Sequence, residues 1–287
     1  MQNIAFIGVG VMGRSMVRNL MKNGYQVSIY TRTKRKVLDV IEDGALWCDS
    51  IAECVQNKDA VITMVGFPKD VEEVYFGEHG IIQHAKPGAY LIDMTTTSPK
   101  LSQRIYQEAS AKGLFALDAP VSGGDVGAKN ATLAIMVGGE EAAFNACLPI
   151  FEVLGKTITY HGPAGSGQHT KMANQIAIAG TLAGVCEALA YGKAAGLDLE
   201  KMLATISSGA AGSWQMSNNG AQILKGNYDP GFYIKHFIKD MTIAAEESSD
   251  VQLELAVLKN VLSMYQELAK AGLEDLGTQA LIKYYEK

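Results

Sequence analysis

Over its first 162 residues the chain alternates short apolar runs with stretches of helix length, and after Gly162-Pro163 no β-like run recurs. The runs at residues 4–7, 26–30, 60–65, 90–93, 114–118, 133–137 and 157–161 are predicted strands. Several are apolar without alternation, the pattern of strands covered by helices on both faces. Strands separated by helices of this length pair in parallel through right-handed crossovers. Residues 12–23 and 34–43 are predicted as the first two helices. Past residue 162 the predicted helices are 167–195, 198–207, 212–225, 236–250, 253–271 and 276–286. Breaks fall at Gly196, Gly209, Asp229-Pro230-Gly231 and Gly272. The chain thus divides into an α/β domain, residues 1–162, and an all-helical domain, residues 163–287.

Gly8-Val9-Gly10-Val11-Met12-Gly13 stands between the first predicted strand and the first predicted helix. A G-x-G-x-x-G in that context marks a dinucleotide-binding turn. Gly8 serves the tight turn, Gly10 lets the backbone approach a pyrophosphate, and Gly13 lets helix and strand pack closely. The helix start at Val11 and Met12 offers free N–H groups and a positive dipole end to the phosphates. The expected architecture is an N-terminal α/β Rossmann dinucleotide-binding domain followed by an all-α C-terminal domain. Val65, at the end of the third predicted strand, is placed with these residues as a cofactor contact.

The second strand ends Tyr30-Thr31-Arg32-Thr33, and Lys34-Arg35-Lys36 follow. No carboxylate stands there to accept hydrogen bonds from the ribose hydroxyls of NAD. The Arg32 guanidinium and the Thr31 hydroxyl suit a 2′-phosphate instead. NADP(H) is therefore the expected cofactor, with NAD(H) as the alternative.

Composition narrows the partners. Hydrophobic residues at 48% and charged residues at 19% are ordinary for a globular protein. A net charge of −5 argues against a nucleic-acid partner and against an anionic membrane surface. Cys48, Cys54, Cys147 and Cys186 form no C-x-x-C pair and no zinc-type spacing, so no metal is expected and the thiols are read as reduced. Residues 176–190 are strongly apolar but carry Glu187, and are read as a buried helix and not a membrane span. Met1-Gln2-Asn3 runs straight into the first strand without a secretory signal. A cytoplasmic setting is the expectation.

Hydride transfer belongs to the cofactor; the protein must position a carbonyl and manage one proton. A lysine within hydrogen-bond reach can give that proton and stabilise the developing alkoxide. Lys171 stands among the apolar Met172, Ala173, Ile176 and Ala177, interrupting an otherwise buried-looking helix, and lies three residues from Asn174 and four from Gln175, so the three share a face. From spacing alone, a snorkelling lysine near a helix end is an equal reading. Ser122-Gly123-Gly124 follows a strand end, where small residues with free N–H groups can wrap a carboxylate. Trp214 and Phe232 are candidate pocket walls, although large aromatics in helical domains are usually core. His169 and His236 receive no role.

Four blocks together resemble the β-hydroxyacid dehydrogenases over essentially the whole chain. They are Phe6 to Gly13 with Asn19-Leu20, Asp118-Ala119-Pro120-Val121-Ser122-Gly123-Gly124, Gly165 to Gln175, and Lys239-Asp240 with Met241 to Ala245. Asp93-Met94-Thr95-Thr96-Thr97-Ser98-Pro99 resembles a further family block. The resemblance implies Lys171 and Asn174 as catalytic residues and Ser122, Gly123, Gly124 and Gln175 as substrate contacts. It places Thr96 by the nicotinamide and makes Lys239 and Asp240 cofactor-side residues, although a Lys-Asp pair taken alone reads as an ordinary surface pair. It also implies a small carboxylate-bearing substrate and a homodimer or homotetramer, which the long Ala/Gly-rich helix could hold together. This chain departs from the family with Thr95 where serine is usual and with Asn174-Gln175 where two asparagines are frequent. Thr31-Arg32-Thr33 resembles the NADP-preferring members.

The implied activity is hydride transfer between nicotinamide and a small β-hydroxy acid or its semialdehyde. One rival is a semialdehyde or glyoxylate reductase working mainly in the reductive direction. Another is a non-catalytic NADP-binding sensor on the same fold. Related imine reductases usually lack the lysine, and 6-phosphogluconate dehydrogenase has a much longer helical portion.

Overall fold

A computed structural model of the chain describes residues 1–286. It contains β1 (Asn3–Ile7), β2 (Gln26–Tyr30), β3 (Leu46–Trp47), β4 (Ala60–Thr63), β5 (Tyr90–Asp93), β6 (Phe115–Asp118), β7 (Val121–Ser122), β8 (Leu133–Gly139) and β9 (Gly155–Gly162). These form one sheet in the order β3-β2-β1-β4-β5-β6-β8-β7, with β9 paired to β8. The chain separates into two compact units, Met1–Lys171 and from Met172 onward.

In the first unit, neighbouring residues of one strand enter different cores. Ile4 and Phe6 of β1 join one apolar cluster with Ala60, Ile62, Ile92 and Leu117. Ala5 and Ile7 join another with Val61, Leu91 and Ala116. Both faces of the sheet are thus buried, which explains the unbroken apolar runs. β1 pairs in parallel with β2 on one side and β4 on the other, so the order reverses beside β1. Open α/β sheets bind ligands at such a switch point, beyond the carboxyl ends of the strands.

In the second unit, the apolar stripe of the long helix Ser166–Ala194 supplies Leu182, Val185, Cys186 and Leu189 to a core with Phe237, Met241, Tyr265 and Leu281. By length and composition alone this helix could cross a membrane, with 39% of its most apolar window buried. Phe237 and Tyr265 meet edge to face at 5.2 Å, and the Tyr265 hydroxyl donates to the Thr278 carbonyl at 2.7 Å.

Several expectations change. The sheet is not all parallel: β8 runs antiparallel to β6 and to β7. Between β7 and β8 the chain forms only the seven-residue helix Gly124–Asn130, too little for a crossover to a parallel neighbour. β3 and β7 are two-residue strands, too short to show any period. The helix expected at 34–43 is a 3-10 turn, Lys34–Lys36, followed by the short helix Leu38–Glu42. The last helix is a 3-10 helix, Thr278–Tyr285. The segment expected as helix 212–225 opens with π-type turns over Gln215–Gly220 before Ala221–Leu224.

Candidate active site

The glycine turn leaves β1 at the switch point. Gly8 has φ +98°, and a Cβ there would stand 2.3 Å from the Met64 carbonyl oxygen at the end of β4. Only glycine fits both the backbone angle and that approach. At Gly13 a Cβ would stand 2.3 Å from the Gly8 carbonyl oxygen. At Gly10 a Cβ would meet nothing within 4 Å, so open space faces the backbone there. Gly10 also opens the helix Val11–Lys22 and brings no side-chain cap to its N–H groups. A pyrophosphate fits this arrangement: clear backbone access and orphan donors at a helix start. Asn19 on the same helix donates to the Ala128 carbonyl at 2.7 Å and ties it to the helix following Ser122-Gly123-Gly124.

Thr31 and Arg32 follow β2, and the Arg32 side chain is 79% exposed. Asp70 reaches it from far along the sequence, with Nη1 to Oδ1 at 3.4 Å. The second strand carries no carboxylate, but folding supplies one, which the local reading missed. Asp70 also accepts from the Phe67 N–H at 3.0 Å. Lys34 is turned over the Trp47 ring, 5.2 Å from its centre, and Trp47 stacks on Tyr30.

Across the sheet, the carboxyl ends of β5 and β6 carry a buried polar cluster. Asp93 and Asp118 are paired in register. Asp93 Oδ1 accepts from the Thr63 hydroxyl at 2.7 Å and the Thr95 N–H at 3.1 Å. The Thr95 hydroxyl accepts from the Val65 N–H at 3.0 Å, so threonine keeps the hydroxyl that a serine would offer. Asp118 accepts from the Gly165 N–H at 2.7 Å and the Gln168 N–H at 2.9 Å. A carboxylate from β6 thereby satisfies the first turn of the long helix, where donors lack intrahelical partners. Gly167 makes this approach fit: a Cβ there would stand 2.3 Å from the Met136 carbonyl oxygen. Lys171 follows on the second turn and is 6% exposed.

Ser122 ends β7 half-buried, and the backbone then runs through Gly123 at φ +127° and Gly124 at φ +62°. Both angles favour glycine, and the Gly123 position is exposed. Thr96 is half-buried between the buried Thr95 and Thr97.

The second unit carries its own polar chain. Asn174 donates to Gln175 Oε1 at 2.7 Å, and Gln175 donates through Nε2 to Asp240 Oδ2 at 2.6 Å. Lys239 Nζ pairs with Asp240 Oδ1 at 3.0 Å. Gln175 and Asp240 are each 1% exposed. The Gln175 amide is engaged at both ends, which fixes the orientation of the Asn174 amide. Lys239-Asp240 is therefore not a solvated surface pair. Trp214, by contrast, is 66% exposed and lies outside the core. Phe232 packs edge to face on Phe237.

Burial pushes Asp93 up to about 6, against the opposing hydrogen bonds from Thr63 and Thr95. Burial likewise raises Asp118, against its backbone donors. A folded-state value above the unfolded one means the native state holds the extra proton. Asp93 therefore stabilises most below about pH 4, and that contribution is lost as pH rises through about 6. The loss amounts to on the order of 2–3 kcal/mol. Asp93 Oδ2 has no hydrogen-bond partner among the described residues, so Asp93→Asn keeps the useful acceptor and removes the charge. Urea unfolding should find Asp93→Asn more stable than wild type at neutral pH, with the difference vanishing in acid. A constant difference across that range would contradict the assignment.

The comparisons with known proteins agree with this geometry. A family model described as the NAD binding domain of 6-phosphogluconate dehydrogenase matches residues 3–162. One described as the NAD-binding region of NADP-dependent 3-hydroxyisobutyrate dehydrogenase matches residues 165–285. The chain is 55% identical over 286 residues to the uncharacterized oxidoreductase YkwC of Bacillus subtilis (strain 168), covering 100% of this chain and 99% of that one. It is 35% identical to the 2-hydroxy-3-oxopropionate reductase of Escherichia coli (strain K12), covering 99% and 97%. Among solved structures, the 3-hydroxyisobutyrate dehydrogenase of Mycobacterium tuberculosis superposes with a TM-score of 0.92 at 28% identity, covering 100% of both chains. The chain belongs to the β-hydroxyacid dehydrogenase family and is an NAD(P)-dependent oxidoreductase of the 3-hydroxyisobutyrate dehydrogenase-like type.

Proposed function

We propose that this enzyme interconverts a small β-hydroxy acid and its semialdehyde with NADP(H), using Lys171 as the proton-transfer group. The observation that carries this reading is the burial of Lys171 at 6% exposure, one turn beyond a helix start capped by Asp118. A snorkelling lysine would hold its ammonium in bulk water. A bound nicotinamide would supply the hydride donor or acceptor. Gly8, Gly10, Val11, Met12 and Gly13 would hold its pyrophosphate, with Val65, Thr96, Lys239 and Asp240 as further cofactor-side residues. In reduction Lys171 Nζ donates a proton to the carbonyl oxygen, and in oxidation it takes the hydroxyl proton back. Asn174, its amide oriented by Gln175, presents its carbonyl oxygen to the reacting hydroxyl or to the ammonium. Ser122, Gly123 and Gly124 bind the substrate carboxylate through the serine hydroxyl and backbone N–H groups.

Relatives support this substrate class: one is named for a 2-hydroxy-3-oxopropionate, and the Mycobacterium tuberculosis neighbour is described with L-serine, a β-hydroxy carboxylate. The enzyme works in the cytoplasm as a homodimer or homotetramer in this reading, without nucleic-acid or membrane partners.

Arg32 decides between the cofactors. Its exposed guanidinium, held beside Asp70, is available to a 2′-phosphate, which NADPH carries and NADH lacks. Arg32→Ala should raise the Kd for NADPH by about tenfold or more and leave NADH nearly unchanged. Titration of nucleotide fluorescence measures both. Equal losses, or none, would sink the 2′-phosphate reading.

A further inference from the structure

Gln168 is completely buried and uses every polar atom it has. Its backbone N–H donates to Asp118 Oδ2 at 2.9 Å. Its side-chain Nε2 donates to the Thr95 carbonyl at 2.8 Å, and its Oε1 accepts from the Thr97 N–H at 3.1 Å. The carboxamide thus straddles a single residue, Thr96, by holding the peptide groups on both sides of it. The same residue lies on the first turn of the long helix, three positions before Lys171.

We propose that Gln168 is a positioning residue whose carboxamide clamps the Thr95–Thr97 segment to the first helical turn and so fixes Thr96 in register with Lys171. The inference rests on the reading of Lys171 as the proton-transfer group and Thr96 as its nicotinamide-side neighbour. Two hydrogen bonds of opposite polarity define the orientation of the amide, so one carboxamide sets both the distance and the tilt of the loop. A misplacement near 1 Å at such a point costs turnover on the order of a hundredfold, even without a contact to the reacting atoms.

The bland alternative is a glutamine that merely satisfies buried backbone groups, and the two readings separate in kinetics. Gln168→Met keeps the length and removes both polar ends. It should lower kcat by about ten- to a hundredfold while the Kd for NADPH, set by the glycine turn, stays near wild type. Gln168→Glu gives the sharper test. A buried carboxylate facing the Thr95 carbonyl sets acceptor against acceptor, and both burial and that contact raise its pKa. Once protonated, it again donates to Thr95 and accepts from Thr97. The ratio of its kcat to that of wild type should therefore approach one in acid and fall by about tenfold or more as pH rises through the raised pKa. In the unmodified protein, the Thr97 amide should exchange with solvent deuterium as slowly as the core strands.

Wild-type kcat in Gln168→Met, a loss confined to nucleotide affinity, or a Gln168→Glu ratio that is flat with pH would each overturn the clamp. If Gln168→Met does not fold, the Gln168→Glu ratio and the Thr97 exchange rate decide, and fast exchange overturns it. The two readings fail separately. Wild-type turnover in Lys171→Ala removes the proton-transfer assignment, whereas an inactive Lys171→Ala beside a fully active Gln168→Met removes the clamp alone.

Discussion

Lys171→Ala should lower kcat by about 10²- to 10⁴-fold, the span that a positioned general acid or base contributes. The Kd for NADPH should stay within about twofold of wild type, because in the proposed reading the glycine turn and not the lysine would hold the phosphates. Lys171→Arg sharpens the reading. A guanidinium keeps the charge and the hydrogen-bond donors but does not release its proton in any ordinary pH range. If the ammonium served only as a fixed positive charge, arginine would preserve much of the rate. If it transfers the proton, arginine should fall nearly as far as alanine. Stopped-flow oxidation of NADPH under saturating carbonyl substrate measures the step, and circular dichroism confirms the fold of each variant.

Asp118→Ala should carry the largest stability cost of any substitution at the site. It leaves the buried Gly165 and Gln168 N–H groups without an acceptor and removes the negative charge from a helix N-terminus. Hydrogen bonds to charged groups contribute about 1.5–3 kcal/mol each, so a loss of about 3–5 kcal/mol is expected. Asp118→Asn should be milder but still destabilising, since its amide group would set a donor against a backbone donor. The raised pKa of Asp118 shows that burial works against its charge, which limits the net gain from the carboxylate. Urea unfolding of both variants gives the values. An Asp118→Ala variant as stable as wild type would show that the helix start needs no acceptor from β6.

The parts of the fold legible in the sequence were those set by local pattern. The strand runs, the glycine turn and the 29-residue helix were readable because period, turn chemistry and length act within a few residues. Gly8 and Gly13 carry backbone and packing constraints that no other residue meets, so their identity alone announced them. The antiparallel β8 was not legible, because strand direction depends on a short connection whose course the apolar pattern does not encode. Two-residue strands such as β3 have no period to detect.

At the site, Lys171 stood out as a charge beside the apolar Met172, Ala173, Ile176 and Ala177, and its burial follows that hint. The supports of the helix were hidden. Asp118 and Gln168 are separated by 50 residues, and Gln168 and Thr95 by 73. Nothing local marks such pairs, because Gln168 stands in a helix start that also carries Ser166, His169 and Thr170, where one more polar residue is unremarkable. Asp70 reaches Arg32 from 38 residues away, which is why the ribose end looked free of carboxylates. Lys239-Asp240 was a cofactor-side pair by resemblance only, since taken alone it had the pattern of a surface pair; folding buries the carboxylate and sets Gln175 against it.

Chemical rescue of Lys171→Ala tests the central claim most directly. Small primary amines added to the variant should restore NADPH oxidation in proportion to their concentration, with efficiency following the amine pKa. Tetramethylammonium, which carries the charge but no transferable proton, should restore nothing. Equal recovery with tetramethylammonium, or a variant that already turns over at the wild-type rate, would contradict proton transfer by Lys171.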